Sequence, residues 1–411
     1  MTEARNSVEL KFYREIAEST EVEAFLTENA GEEESRLLLR HKEVAGVPVS
    51  LVVNQISGRR KAKSKIPTYA EAPGIVYPPG LNLEQSSSEK TADFKAKILA
   101  EASGATRRMA DLTGGFGIDS YFFAKTFDSV EYIEPNEVLS WIAQHNHKIL
   151  DTPNITYHGQ TAEQFLDQDI GVFDAVYVDP SRRRDSGKVI RLRDCDPDIV
   201  NLQPRIFEIA PLLLIKASPL LDITAGLREL SCVCRIYVVS VDQECRELLF
   251  LCQQGFAGEP LISTIHLNKD LRETFDFTTP DEKSAGLSYG PVLKYLYEPN
   301  PSIMKAGAFR SVAQAFGIAK IHANSHFFTS DVLLTEFPGR IFEVISRIPG
   351  NGRDLERFLP GRKANVVVRN YPLSSDQLRK KLRLTDGGSD YVIGTTSLAD
   401  GKLVLLAHRH K

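Results

Sequence analysis

The 411-residue sequence lacks any apolar run long enough to cross a bilayer. Its most apolar segment, PLLLIKASPLL, carries Lys216 in its middle, well short of the roughly 18 uninterrupted apolar residues that a span needs. The first residues, MTEARNSVELKFYREIAE, are charged throughout and have no apolar core, so no secretory leader is expected. The expectations are no membrane partner and a cytoplasmic location. Cysteine is scarce and odd in number: Cys195, Cys232, Cys234, Cys245 and Cys252 point to reduced thiols rather than a disulfide framework. Cys232 and Cys234 share one face of the strand-like SCVCRIYVVSV, but no second pair at zinc-ligand spacing follows, and His322 with His326 finds no acidic third ligand. No metal is expected. Repeats and low-complexity tracts are also missing, and a composition 42% hydrophobic and 25% charged excludes a disordered chain. Charge of one sign is not in excess, at −4 net, yet residues 351–411 hold twelve Lys and Arg against six Asp and Glu. The C-terminal end is locally basic.

What is present suits two or three domains at about 150 residues each. Residues 1 to about 57 carry apolar residues at helical spacing, and the basic, then Pro/Gly-rich GRRKAKSKIPTYAEAPGIVYPPG predicts a linker or strap that closes this first segment at about 75. SSSEKTADFKAKILAEAS predicts a capped helix burying Ala92, Phe94, Ala96, Ile98 and Leu99. From about 107 short apolar runs (MADLT, VEYIE, NITYH, FDAVYVD, PLLLIKA and CRIYVVSV) alternate with helix-length segments. That rhythm predicts an α/β domain with a doubly wound, mainly parallel sheet over 76–258. Residues 259–411 alternate strands and helices on a smaller scale, as a compact α+β region.

Three glycines, Gly114, Gly115 and Gly117, follow MADLT directly and precede the helix-like IDSYFFAKTF. A strand-to-helix turn of this kind lets backbone approach a ligand closely. Dinucleotides and S-adenosylmethionine are both served by such turns. The G-x-G-x-x-G spacing of the first class fails at its last position, where Ser120 stands. The second class has an ammonium and a carboxylate and no phosphate, which suits Asp111 on the strand before the turn and backbone N–H groups at the helix start. Glu134 ends the next strand, where a carboxylate can accept from both ribose hydroxyls. Thr161 and Ala162 follow the third strand, beside the expected adenine. At the end of the fourth strand stands FDAVYVDPSRRRD. Asp179 is the candidate to take or orient the nucleophile's proton, Pro180 stiffens the exit from the sheet, and Ser181 completes the motif. Arg182, Arg183 and Arg184 suit a phosphate-bearing substrate.

ADLTGGFGID, VEYIE and VDPSRR resemble the class I S-adenosylmethionine-dependent methyltransferases. EQSSSEKTADFKA, LIKASPLLDI and DQLRKKLRLTDGGSDYVIGTTSLADGK narrow the resemblance to bacterial methyltransferases with a THUMP-like C-terminal domain, here at about 335–411. The resemblance implies a seven-stranded Rossmann-like sheet. It also implies Asp111, Thr113, Gly114, Gly115 and Gly117 as the cofactor loop, Glu134 as ribose acceptor and Thr161 with Ala162 at the adenine. Many relatives have Asp where Thr161 stands. The D/N-P-P-Y motif of N-methyltransferases is matched only in part, since Ser181 and Arg182 replace its second Pro and its aromatic, so the target atom stays open. THUMP-like domains imply structured RNA, chiefly tRNA, and the basic cluster Arg379, Lys380, Lys381 and Arg383 agrees with a phosphate-contacting surface. The same LRKKLRL also fits an amphipathic helix burying its leucines. Two competing functions remain: a nicotinamide-dependent oxidoreductase on the same turn, and a non-catalytic RNA-binding protein.

Overall fold

The computed structural model of the protein describes residues 2–182, 191–268, 271–349 and 355–410. It forms two compact units, Met1–Val233 with Phe250–Ala257, and Cys234–Leu249 with Gly258–Lys411.

The first unit begins with helices α1 (Thr2–Glu18), α2 (Thr20–Glu28), α3 (Glu34–Arg40) and α4 (Val49–Lys65). Helix α4 runs through Gly58 and the basic GRRKAKSK, which the sequence assigns to a linker. The reason lies in the strap that follows. A Cβ on Gly58 would stand 2.6 Å from the Tyr77 ring, so the glycine keeps its place in the helix to admit that ring. Gln55 then holds the Tyr77 backbone from both sides, donating to its carbonyl (2.8 Å) and accepting from its N–H (2.7 Å). The basic run is engaged within the fold: Arg59 on Glu23, Arg60 on the carbonyls of Ala30 and Glu32, Lys61 on Glu84, and Lys65 on the carbonyls of Leu83 and Glu84.

Helix α5 (Glu89–Ser103) is capped by Ser88 and ends at Gly104, whose φ of +62° suits a residue without a Cβ. It buries Ala92, Phe94, Ala96, Ile98 and Leu99 as its pattern predicts, and Lys95 with them. Then β1 (Arg108–Asp111), α6 (Ile118–Ala124), β2 (Ser129–Ile133), α7 (Glu137–Ile149), β3 (Ile155–His158), α8 (Ala162–Leu166), β4 (Ala175–Val178), α9 (Ile199–Ile209) and β5 (Leu212–Ala217) follow. The five strands pair in the order β3-β2-β1-β4-β5, all parallel. Order reverses at β1, so the carboxyl ends of β1 and β4 open a crevice where ligands of such sheets collect. The α/β class with a mainly parallel sheet is the observed one.

Strands β6 (Val233–Val241) and β7 (Glu244–Gln253) complete the seven implied strands and are cut by the division between the units. Two strands beyond that count, β8 (Leu261–Asn268) and β9 (Leu271–Phe277), lie in the second unit, where β6 pairs β8 in parallel and β8 pairs β9 antiparallel. The same unit holds β10 (Tyr295–Pro299), β11 (Phe328–Ser330), β12 (Gly339–Arg347), β13 (Asn365–Arg369), α10 (Ser375–Leu382), β14 (Asp390–Ser397) and β15 (Gly401–Arg409). Their order is β11-β10-β12-β15-β14-β13, antiparallel but for β13 with β14. One core cluster collects Leu378 and Leu382 of α10 with Leu355, Leu359, Val392 and Leu406, and another collects Leu296, Phe342, Ile393 and Leu405.

Candidate active site

A cavity of about 390 Å³ opens at the ends of β1, β2 and β4 in the first unit, within the range of small-molecule sites. Thr113, Gly114, Gly115, Gly117, Glu134, Thr161, Ala162, Asp179 and Ser181 all line it. Four consecutive strands thus deliver the residues singled out in sequence to one place. Arg182 pairs with Cys195 through its backbone, and Arg183 and Arg184 lie outside the described residues.

The three glycines of the turn answer to different neighbours. A Cβ on Gly114 would lie 2.2 Å from the Tyr132 ring, and one on Gly117, at φ +85°, would lie 2.7 Å from the His147 ring. Those two are glycine because the protein's own rings fill the space. Gly115 differs: at φ +54° its nearest neighbour to an added Cβ is the Thr113 carbonyl at 3.8 Å, so its open side is toward the cavity it lines, while its carbonyl accepts from the Tyr132 hydroxyl (2.7 Å). Glu134 locks this turn, accepting from Gly115 N–H through Oε2 and from Asn136 N–H through Oε1, both at 2.9 Å. Burial raises the Glu134 pKa, opposed by these two N–H groups. Pinned this way, the carboxylate keeps lone pairs for hydroxyl donors. Thr161 caps α8 reciprocally with Gln164, which uses its N–H and hydroxyl locally while its surface still borders the cavity.

Asp111 lies deeper than the other residues of the loop. It is fully buried and is not part of the cavity wall. Its Oδ1 accepts from Thr113 N–H (3.1 Å) and its Oδ2 from the Ser120 hydroxyl (2.5 Å). Burial pushes its pKa to about 7, against the pull of the Ser120 and Thr113 hydrogen bonds. Asp111 therefore braces the turn from behind. Asp119, in the first turn of α6, borders the cavity as Glu134 and Asp179 do, and sequence reasoning missed it. Its Oδ2 accepts from Ser87 (2.7 Å) and Tyr177 (3.1 Å), and Lys95 Nζ stands 3.0 Å from Oδ1. Burial alone would raise its pKa, but Lys95 and Lys216 with the Ser87 bond bring it below the ordinary value. It is an ionised carboxylate facing the cavity.

Asp179 donates its backbone N–H to Thr113 Oγ1 (2.7 Å) and takes an ion pair from Lys216 through Oδ2 (2.5 Å). Ser181 pairs through its backbone with Asp196. Asn82, Gln85, Ser86 and Ser87, from the segment preceding α5, border the same cavity. Neither Asn82 nor Gln85 stands out in the sequence, because nothing local predicts that this segment crosses the strand ends.

With this geometry in place, two comparisons decide the family. The chain is 30% identical to a candidate methyltransferase of known crystal structure from Porphyromonas gingivalis W83; the match covers 95% of this chain and 98% of that one, with a TM-score of 0.81. Family models for a ferredoxin-like domain and a THUMP domain-like region match residues 295–338 and 339–409. The chain belongs to the class I methyltransferases that carry a THUMP-like C-terminal domain. A curated relative, an uncharacterised RNA methyltransferase of Mycoplasma mobile (strain ATCC 43663 / 163K / NCTC 11711), is 28% identical over 151 residues, which span 37% of this chain and 39% of that protein's length.

In this methyltransferase the THUMP-like match takes in β12 to β15 and α10, and the ferredoxin-like match takes in β10 and β11. Helix α10 is the amphipathic helix of the second sequence reading. Leu378 and Leu382 are fully buried, while Lys380, Lys381 and Arg383 are exposed and Arg379 pairs with Asp376 (2.6 Å). No helix among the described residues is long and apolar enough to cross a membrane.

Proposed function

We propose that this methyltransferase binds S-adenosylmethionine in the cavity at the ends of β1, β2 and β4 and methylates a nucleotide in structured RNA, with tRNA as the favoured class. The observation that carries the reading is the pair of carboxylates that border the cavity. A pinned acceptor at Glu134 and an ionised Asp119 match the ligand's ribose diol and ammonium. Asp119 also argues against a dinucleotide, since a carboxylate at the start of the helix opposes a pyrophosphate there.

When bound, the cofactor supplies an electrophilic methyl group on a sulfonium. The chain's own part is to hold the acceptor in line and to receive its proton, and both roles are assigned in this reading to Asp179 at the strand end, with Pro180 stiffening the exit from the sheet. Ser181 borders the same space, and Arg182 and Arg183, next in the sequence, are the candidates to meet a phosphate of the acceptor. The RNA half of the reading draws on the Mycoplasma relative, the THUMP-like match and the exposed Lys380, Lys381 and Arg383.

Calorimetric titration of the protein with S-adenosylhomocysteine and, separately, with NADH tests the cofactor half. Saturable binding of the first and none of the second is expected. The reverse would replace this reading with a nicotinamide-dependent oxidoreductase.

A further inference from the structure

Lys216 is the one charged residue of β5, in the strand LLLIKA whose other members are all buried. A lysine there is costly unless a partner compensates it. Parallel pairing of β4 with β5 sets Val178 opposite Ile215, so the next step along both strands brings Asp179 and Lys216 abreast, with their side chains on the same face. The contact follows: Lys216 Nζ lies 2.5 Å from Asp179 Oδ2, with the lysine side chain 12% exposed and the carboxylate 34%. Asp179 Oδ1 has no hydrogen-bond partner among the described residues, and Asp179 borders the cavity.

Among the described residues, the other charges acting on Asp179 are Asp111 at the end of β1, Asp119 on α6 and Lys95 on α5. Lys95 is committed to Asp119, and Asp111 sits behind the turn with its carboxyl raised by burial. Of the cations among the described residues, Lys216 is the one in direct contact with Asp179.

We propose that Lys216 is a positioning residue for methyl transfer, holding Asp179 ionised through Oδ2 so that Oδ1 is left to receive the acceptor's proton. This rests on the role given to Asp179 above. In the balanced step the acceptor's N–H or O–H proton passes to Asp179 Oδ1. The electron pair of that bond stays on the atom that forms the new bond to the methyl carbon, and the C–S pair returns to sulfur. Carboxylate and sulfonium charges disappear together, and the Lys216 ammonium is unchanged. Burial raises the Asp179 pKa and Lys216 opposes it, so loss of the ammonium raises it further.

The test compares wild type with K216Q, K216M, K216R and D179N in two readouts. One is the carbon-13 titration of the Asp179 carboxyl in the protein alone. The other is the pH profile of methyl transfer to RNA from cells that lack this gene. For K216Q and K216M the Asp179 midpoint and the acid limb of the profile should both rise by about one unit or more. Transfer at pH 7 should fall at least about tenfold, with S-adenosylhomocysteine affinity unchanged and with K216R restoring most of both. If K216M melts early, K216Q, which keeps a hydrogen-bonding head, decides the outcome. An Asp179 midpoint in K216Q equal to that of wild type would overturn the proposal. Full activity in D179N would instead remove the role of Asp179, and the titration would still report whether Lys216 sets its charge.

Discussion

Asp111 and Asp119 stand eight residues apart on either side of the glycine turn, and the sequence favours the first because it sits on the strand. Which of two acids faces a cavity depends on partners far along the chain: Ser87, Lys95 and Tyr177 hold Asp119, while Asp111 turns back onto Thr113 and Ser120. Local pattern holds no record of those partners. The arrangement gives Asp111 a testable pH signature. Its folded pKa, about 7, lies above the ordinary 3.8, so the folded state binds its proton more tightly than the unfolded chain does. The stability contributed by that proton is fully present below about 3.8 and is lost as pH rises through about 7, amounting to about 4 kcal/mol for a shift of roughly three units. D111N, which does not ionise, should therefore melt higher than wild type at pH 8, with the gain vanishing at pH 4. A gap of the same size at both pH values would contradict the assignment.

At the level of elements, the strand-turn-helix unit was legible in MADLT-GGFG-IDSYFFA, and so was the buried face of α5. The continuity of α4 was not, because a glycine followed by lysines and arginines looks like a break until Tyr77 arrives to fill the space above Gly58. Lys95 was illegible for a related reason: a lysine in an amphipathic pattern reads as solvated, whereas here its ammonium ends on Asp119 and Ser87 inside the fold. The turn itself separates packing from ligand approach. G114A should lower thermal stability by about 2–4 kcal/mol, since the Tyr132 ring has to shift to admit the methyl group. G115A should cost only the left-handed backbone term of about 1 kcal/mol yet weaken S-adenosylhomocysteine binding more than G114A does. Melting curves and calorimetry on the two variants check this, and equal effects on both quantities would contradict it.

Across the whole molecule, the change of rhythm near 107 and the smaller alternation after 258 made the α/β and α+β character readable. The ferredoxin-like match at 295–338 had no such signal, since strands as short as Phe328–Ser330 leave little periodicity to detect. Helix α10 also shows why amphipathicity and nucleic-acid contact are not competing readings: two leucines anchor the helix and the remaining face is free to carry charge. If Lys380 and Lys381 meet phosphates, replacing both with Ala should reduce the slope of log affinity against log salt for RNA by about 1.4 and leave S-adenosylhomocysteine binding untouched. An unchanged slope would move the RNA contact elsewhere.

The central claim is methyl transfer to RNA at the cavity that Asp179 borders. It is met most directly by incubating wild type and D179A with methyl-labelled S-adenosylmethionine and size-fractionated RNA, alongside a protein fraction, from cells that lack this gene. The account predicts label in tRNA-sized RNA with wild type and its loss, by about a hundredfold or more, with D179A. Label confined to protein, or label in RNA that survives D179A undiminished, would contradict it.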